Sequence, residues 1–240
     1  MRLVAVLLPL LIGWSGSAFA QVGALQTDCK LGGPIGKTGF QFVATCPGRA
    51  TSPNKRFAIV QHAYTEVQLP IELQDARGRV LAKIPRLTDD MPFAVFWSPR
   101  PNWFFVNHHV GSFMDRPEVY EIKAGHVLQH QGITREGRRQ AIRISPCLRK
   151  VDPDFVMGDA IGWSHDGKRI AWYFETNTDA CMGPQETGPV PFKEQWKAFW
   201  MISDAATGAI MPGSIRIIPE DKAAYFPSDK LYAEYRFRRH

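Results

Sequence analysis

The chain has 240 residues, 45% of them hydrophobic, and carries 29 Lys and Arg against 23 Asp and Glu, for a formal net charge of +6. That length suits one large all-β domain or two small ones. The mild basicity is ordinary for a soluble domain and suits anionic envelope polymers or acidic partners, while no segment beyond residue 20 is long and apolar enough to cross a membrane.

Residues 1–20 have the form of a cleaved signal peptide. Arg2 supplies the positive start, residues 3–14 are nearly all apolar, and Ser17-Ala18-Phe19-Ala20 is a small-residue cleavage site. The mature chain then begins at Gln21, as a single domain over residues 21–240. No Cys follows the cleavage point, so no lipoprotein anchor is expected. Export places the protein in the periplasm or outside the cell and removes it from nucleic acid.

Four cysteines follow: Cys29, Cys46, Cys147 and Cys181. An even count in an exported chain reads as disulfides. Four cysteines allow three pairings, and proximity favours Cys29–Cys46 with Cys147–Cys181. A zinc site is disfavoured because no C-x-x-C pair exists.

Three stretches then repeat one another. They are Ser52-Pro53-Asn54-Lys55-Arg56-Phe57, Ser98-Pro99-Arg100-Pro101-Asn102-Trp103 and Ser164-His165-Asp166-Gly167-Lys168-Arg169. Each is a polar turn feeding an apolar run, followed by further runs with the period of two that marks half-buried strands. The first unit offers runs at residues 57–60, 69–73 and 80–82. The second offers 93–97, 103–106, 118–122 and 126–128. The third offers 159–163, 170–174, 198–202 and 209–211. Trp97 and Trp163 hold the same place, just before the turn serine, and are expected to be buried.

The segment Trp163-Ser164-His165-Asp166-Gly167-Lys168-Arg169-Ile170-Ala171-Trp172 resembles the W-S-P-D-G-K-x-I-A-F signature of TolB-like, WD-repeat-like propeller blades of bacterial envelope proteins. Phe96-Trp97-Ser98-Pro99 is a second, partial match. His165 replaces the usual Pro, and the first unit lacks the Trp and the Gly. The resemblance covers roughly residues 50–211. It implies an all-β fold of propeller-like repeats, each a four-stranded antiparallel blade, and protein–protein contact with no binding residue carried over.

Spacing is uneven: Ser52 to Ser98 is 46 residues, Ser98 to Ser164 is 66. The excess falls in an insertion at residues 133–156, and a second insertion, residues 177–195, interrupts the third unit. Residues 226–233 echo the motif and would open a fourth unit or lend a closing strand. So few units imply a small or incomplete ring.

Several constellations bear on chemistry. Gly162-Trp163-Ser164-His165-Asp166 fails the last position of a G-x-S-x-G elbow, so Ser164 and Asp166 read as turn residues. His62 and His108 occupy one repeat position, and Glu175 joins them if one residue is inserted. Converging in a ring, the three would form a metal or anion site; otherwise they cap strand ends. His108 and His109 are adjacent, so on a strand they face opposite ways. Arg135, Arg138, Arg139 and Arg143, with Arg149 and Lys150, crowd the first insertion, and Arg236, Arg238 and Arg239 end the chain. Clustered guanidiniums suit carboxylate or phosphate.

These residues point to an exported, non-catalytic binding or scaffold protein that needs no cofactor. Its binding surface would be the two insertions, stapled by Cys147–Cys181, with Arg135, Arg138, Arg139 and Arg143 contacting an acidic envelope partner. The alternative is a hydrolase of an envelope polymer using carboxylates such as Asp115, Glu118 or Glu175, which no spacing supports. Oligomeric state is not encoded in any feature above.

Overall fold

The computed structural model describes residues 29–43, 45–63, 70–84, 91–111, 114–145, 156–177, 196–218 and 226–235. The fold is mostly β, in three antiparallel sheets with one helix. Sheet I is a four-stranded meander of β3 (Gly48–Thr51), β4 (Phe57–Gln61), β5 (Ile71–Asp75) and β6 (Val80–Ile84). Sheet II holds β7 (Phe93–Trp97), β8 (Trp103–Gly111), β9 (Met114–Lys123) and β10 (His126–His130). An N-terminal hairpin, β1 (Gly33–Ile35) and β2 (Gly39–Phe42), pairs onto β7 and widens this sheet to six strands. Sheet III holds β11 (Val156–Trp163), β12 (Arg169–Asn177), β13 (Trp196–Asp204) and β14 (Arg216–Ile218). The helix α1 (Gly132–Ile144) lies between sheets II and III in sequence.

The three Ser motifs make the same turn for the same reason. In each, the Ser backbone N–H donates to the carbonyl five residues on, at 2.9 Å in all three units. The Ser52 and Ser164 hydroxyls also accept the returning N–H of Phe57 and Arg169, both at 3.0 Å. All three serines are buried, so the turn forms where solvent cannot compete for its bonds. The chain needs a left-handed residue to close it: Lys55, Asn102 and Gly167 have φ of 58°, 72° and 65°.

Alternation decides what each sheet covers. Ile59, Ile71 and Leu73 of sheet I meet Phe93, Val95, Trp97, Phe104, Val106 and Tyr120 of sheet II in one buried layer. The other face of sheet II gives Ala94, Phe96, Trp103, Phe105 and Val119 to a second layer with Trp163, Trp172, Phe174 and Phe199. Trp97 and Trp163 are buried, as expected, and tie the layers together. Trp97 Nε1 donates to the Ala50 carbonyl and Trp163 Nε1 to the Phe96 carbonyl, both at 3.1 Å. Asn107 of β8 grips β11 from the side, donating to the Ala160 carbonyl at 2.8 Å and accepting the Ala160 N–H at 3.1 Å.

The sheets form a row, not the closed ring that a complete propeller requires. Among the described residues, no apolar cluster joins sheet I to sheet III. The face of sheet I turned away from sheet II carries Ala58, Val60, Glu72, Gln74, Val80 and Lys83, with Ala58 and Gln74 buried there and Arg49 donating to Gln74. Thr51 stands where the other units have Trp, and among the described residues no sheet lies on that side to receive an indole N–H. The outward face of sheet III is covered instead. Phe226, Leu231, Tyr232 and Tyr235 pack on Ala171, Trp200, Ile202 and Ile218. The expected fourth unit or closing strand at residues 226–233 is therefore a cap without strand, ending in a short 3-10 turn at Ala233–Tyr235.

Two further expectations change. The fourth strand of the third unit is β14, whereas residues 209–211 hold only an isolated bridge between Ser203 and Ile210. The first insertion opens as α1, not as loop. Ile133, Gly137, Gln140 and Ala141 recur at helical spacing and are buried, so one face docks on the second layer. Gly137 is required there, because a Cβ would stand 2.2 Å from the Phe174 ring. Cys29 and Cys46 form the expected disulfide, with Cα atoms 5.6 Å apart. Cys147, Cys181 and the second insertion lie outside the described residues, apart from Asn177 at the end of β12. Among the described residues, no helix is long and apolar enough to cross a membrane.

Candidate functional site

Two groups of polar side chains stand out from the apolar layers. The first grows from the 46-residue spacing of units one and two. That spacing relates Ser52 to Ser98, and it also relates His62 to His108, Glu72 to Glu118, and Gln74 to Tyr120. The pairing registers match as well: Val60 faces Glu72 across β4–β5, and Val106 faces Glu118 across β8–β9. Each histidine therefore meets its own glutamate. His62 Nε2 lies 3.0 Å from Glu72 Oε2, and His108 Nε2 lies 3.2 Å from Glu118 Oε2. Gln74 donates to Glu72 at 2.9 Å, and the Tyr120 hydroxyl donates to Glu118.

The two copies differ in what covers them. The first lies on the outward face of sheet I, where the His62 side chain is 44% exposed. The second faces sheet I from sheet II and is enclosed, His108 at 3% and Glu118 at 11%. The His108 ring also stacks near Phe93, at 6.1 Å. Its Nε2 lies 3.2 Å from the Glu118 carboxylate, off the axis of a good hydrogen bond. Burial alone would raise the Glu118 carboxyl. The contacts with His108 and Tyr120, and the charges of His108 and Arg116, outweigh burial and hold it below the usual carboxylate range. Burial, then the neighbouring Glu118 charge and hydrogen bond, pushes the Tyr120 hydroxyl far up. On the outward copy the His62 contact, then Gln74, holds Glu72 low.

The third unit departs from this arrangement. β12 runs beside β13 without a break from Arg169 to Asn177, and the extra residue of this unit sits in β11, between Ala160 and Gly162. Counting from Ser164, the histidine position is therefore Phe174, not Glu175. Met201 takes the glutamate position opposite Trp172, and Ser203 the Gln/Tyr position opposite Ile170. Phe174 belongs to the layer with α1, whereas Tyr173, next to Glu175, faces the C-terminal cap. Glu175 accepts the Tyr173 hydroxyl.

The expected convergence of His62, His108 and Glu175 is thus not formed. The body of sheet I stands between the two histidines, and Glu175 lies on the far side of sheet III. Among the described residues, no trio of His, Cys, Asp or Glu is grouped to hold a metal ion. Of the carboxylates considered for hydrolysis, Glu118 is enclosed and engaged, and Asp115 stands opposite His109 in the β8–β9 register. The repeated Glu72 and Glu118 were the residues that sequence reasoning missed as partners of His62 and His108. Their shared 46-residue offset was the available signal.

The second group is the outward crest of α1. Arg135, Arg139 and Arg143 are exposed and recur every four residues, so they form one row along the helix, with Arg138 half-buried beside them. The row rises about 6 Å per step, four residues of helix. Arg139 pairs with Glu136, and Arg143 donates to Gln140 at 3.3 Å. The opposite face is anchored by Ile133, Gly137 and Ala141, so the row is presented on a fixed support. Arg149, Lys150 and the C-terminal arginines lie outside the described residues.

Comparison with protein-family models, curated proteins and solved structures finds no significant match.

Proposed function

We propose that this chain is an exported, non-catalytic binding scaffold of the bacterial envelope. On this reading it is an open, TolB-like array of propeller blades that meets an acidic partner through α1. One observation carries the proposal: three exposed arginines in a row on the outward crest, with Arg138 half-buried beside them, on a helix whose inner face is locked into the core. Like charges three and four residues apart destabilise a helix by about 0.2–0.5 kcal/mol per pair. Arg135, Arg138, Arg139 and Arg143 make several such pairs against one acid, Glu136. A partner that sets carboxylates or phosphates across the row relieves that repulsion and gains charge-assisted hydrogen bonds. The crest is convex, so it suits a partner surface better than a small molecule. The inner face of α1 is spent on the core, which disfavours insertion into a lipid interface.

The hydrolase reading has less support. Glu118 is turned into the layer between sheets I and II, with His108 and the Tyr120 hydroxyl both against its Oε2. Glu175 is bonded to Tyr173.

The test replaces Arg135, Arg138, Arg139 and Arg143 together by Ser and compares capture of partners from envelope extract by the variant and the parent. The expected result is loss of a partner whose binding to the parent weakens as salt rises. Retention of every partner at unchanged affinity and salt dependence would overturn the assignment of this surface.

A further inference from the structure

The indole bonds that tie the layers also fix which ends of the sheets lie together. Trp97 meets Ala50, and Trp163 meets Phe96, each just before its own Ser turn. All three Ser turns therefore lie along one side of the row, at the same end of each sheet. Turns two and three touch directly: the Ser98 hydroxyl donates to the Gly167 carbonyl at 3.3 Å, and a Cβ on Gly167 would stand 2.6 Å from Arg100. The next hairpin of each sheet reaches the same end, since Phe57 pairs with Asp75, Trp103 with Glu121, and Arg169 with Asp204.

This end is cationic. Lys55, Arg56, Arg100, Lys123, Lys168 and Arg169 are all exposed there. Arg77 and Arg79 add to it from the β5–β6 hairpin. The acids at this end are engaged in holding it together. Asp75 accepts the N–H groups of Arg77 and Arg79 and pairs with the Arg79 guanidinium. Asp166 accepts the Ser164 hydroxyl and the Lys168 N–H, and Asp204 the N–H groups of Ala206 and Thr207. Glu121 meets His130, and Glu234 meets His165. The cations that remain are placed rather than loose. Arg56 lies over the Phe57 ring at 5.7 Å and Arg100 over Trp103 at 5.6 Å, two guanidiniums held on aromatic faces.

We infer that the Ser-turn end is a second binding surface, separate from α1, and that its ligand is a linear polyanion carrying a charge at each repeat, such as a uronate polysaccharide. Each sheet brings its own cations to this end, and packed sheets lie about 10 Å apart. A rigid row with a fixed period matches a chain polymer with a regular period of its own. A single anion would use only one turn of the three.

The experiment measures binding of polygalacturonate, monomeric galacturonate and phosphatidylglycerol vesicles by the protein and two sets of variants. The first set removes the row: Lys55→Asn, which tolerates the left-handed backbone, with Arg100→Ser and Lys168→Ser. The Lys55→Asn/Lys168→Ser pair alone keeps the Arg100–Trp103 contact, in case its loss disturbs the fold. The second set is Arg135→Ser/Arg139→Ser/Arg143→Ser. Polymer binding is expected to weaken with salt, to fall at least tenfold in the triple turn variant and measurably in the pair, and to stay within twofold in the α1 variant. Equal binding of monomer per charge, binding of vesicles without polymer, or loss in the α1 variant alone would overturn the inference. So would unchanged binding in the turn variants. Loss in the α1 variant alone would move the polymer to α1; the other outcomes leave the acidic partner proposed for α1 to the envelope capture, which tests it on its own.

Discussion

The Trp163 indole donates to the Phe96 carbonyl as the Trp97 indole donates to that of Ala50, at 3.1 Å in both cases. Phe96 and Ala50 each stand two residues before a turn serine, so one interaction is used twice, a repeat unit apart. Trp→Ala at either position should cost about 3–5 kcal/mol, as for other buried aromatics. Trp→Phe keeps much of the ring but loses the indole bond to the neighbouring sheet, and should cost about 0.5–1.5 kcal/mol. Urea unfolding of the four variants measures both, and a neutral Trp→Ala at either site would mean that the layers are held otherwise.

Glu118 predicts a pH dependence. Its carboxyl lies below the usual range when folded, so the unfolded chain binds the proton more readily. The stabilisation is complete above the ordinary carboxylate value of about 4.3 and is lost as pH falls through the lower folded value. Glu118→Gln should therefore destabilise at pH 7, with a deficit that shrinks as pH falls through the folded value. Glu72→Gln should do much less, because the same contacts there are open to solvent. Unfolding curves at pH 7, 5 and 3 compare the three proteins. A Glu118→Gln deficit that is constant with pH would assign the loss to packing rather than charge.

The repeat was legible because its turn is local. A Ser that bonds its own unit five residues on needs nothing distant, and Trp97 and Trp163 announce the layers they enter. What depended on partners far along the chain was not legible. The N-terminal hairpin joins sheet II through β2 and β7, a pairing that no local pattern encodes. Glu175 takes the histidine position only if one residue is inserted after Ser164. The bulge lies in β11, and only the strand registers show that. The spacing of Ile133, Gly137, Ala141 and Ile144 does read as one helical face. The arginines between them drew the eye to charge and away from period.

Gly137 tests how firmly α1 is seated. Gly137→Ala places a methyl into the Phe174 ring. Alanine favours helix by about 1 kcal/mol over glycine, so an isolated helix would gain. Overpacking of this kind costs about 1–3 kcal/mol, and the net effect should be destabilising. Thermal unfolding followed by circular dichroism gives the sign. A stabilised Gly137→Ala would show that α1 rides free of sheet III, and with it the arginine row.

The disulfide offers a separate test of the N-terminal end. Cys29–Cys46 spans 17 residues and ties the start of the described chain to the segment that Gln61 holds by the Val43 carbonyl at 2.6 Å. Its removal by Cys29→Ser/Cys46→Ser should cost about 2–4 kcal/mol, mainly by freeing the unfolded chain. Equal melting temperatures with and without the pair would mean that β1 and β2 are held by β7 alone.

The far end of the row depends on Tyr232. Its ring is fully buried against Trp200, with centroids 6.1 Å apart, and its hydroxyl donates to the Ser214 carbonyl at 2.6 Å. Arg216 and Asp229 pair beside it at 3.0 Å. Among the described residues no further sheet packs on this face of sheet III, and this segment covers Trp200, Ile202 and Ala171 instead. Tyr232→Phe loses only the hydroxyl and should cost about 1 kcal/mol. Tyr232→Ala also empties a large buried site and should cost about 3–5 kcal/mol, with new exposure of Trp200. Intrinsic fluorescence and unfolding curves report both. If Tyr232→Ala kept the parent's stability and emission, the segment would be an attached strap, and the row would need another cover for its apolar end.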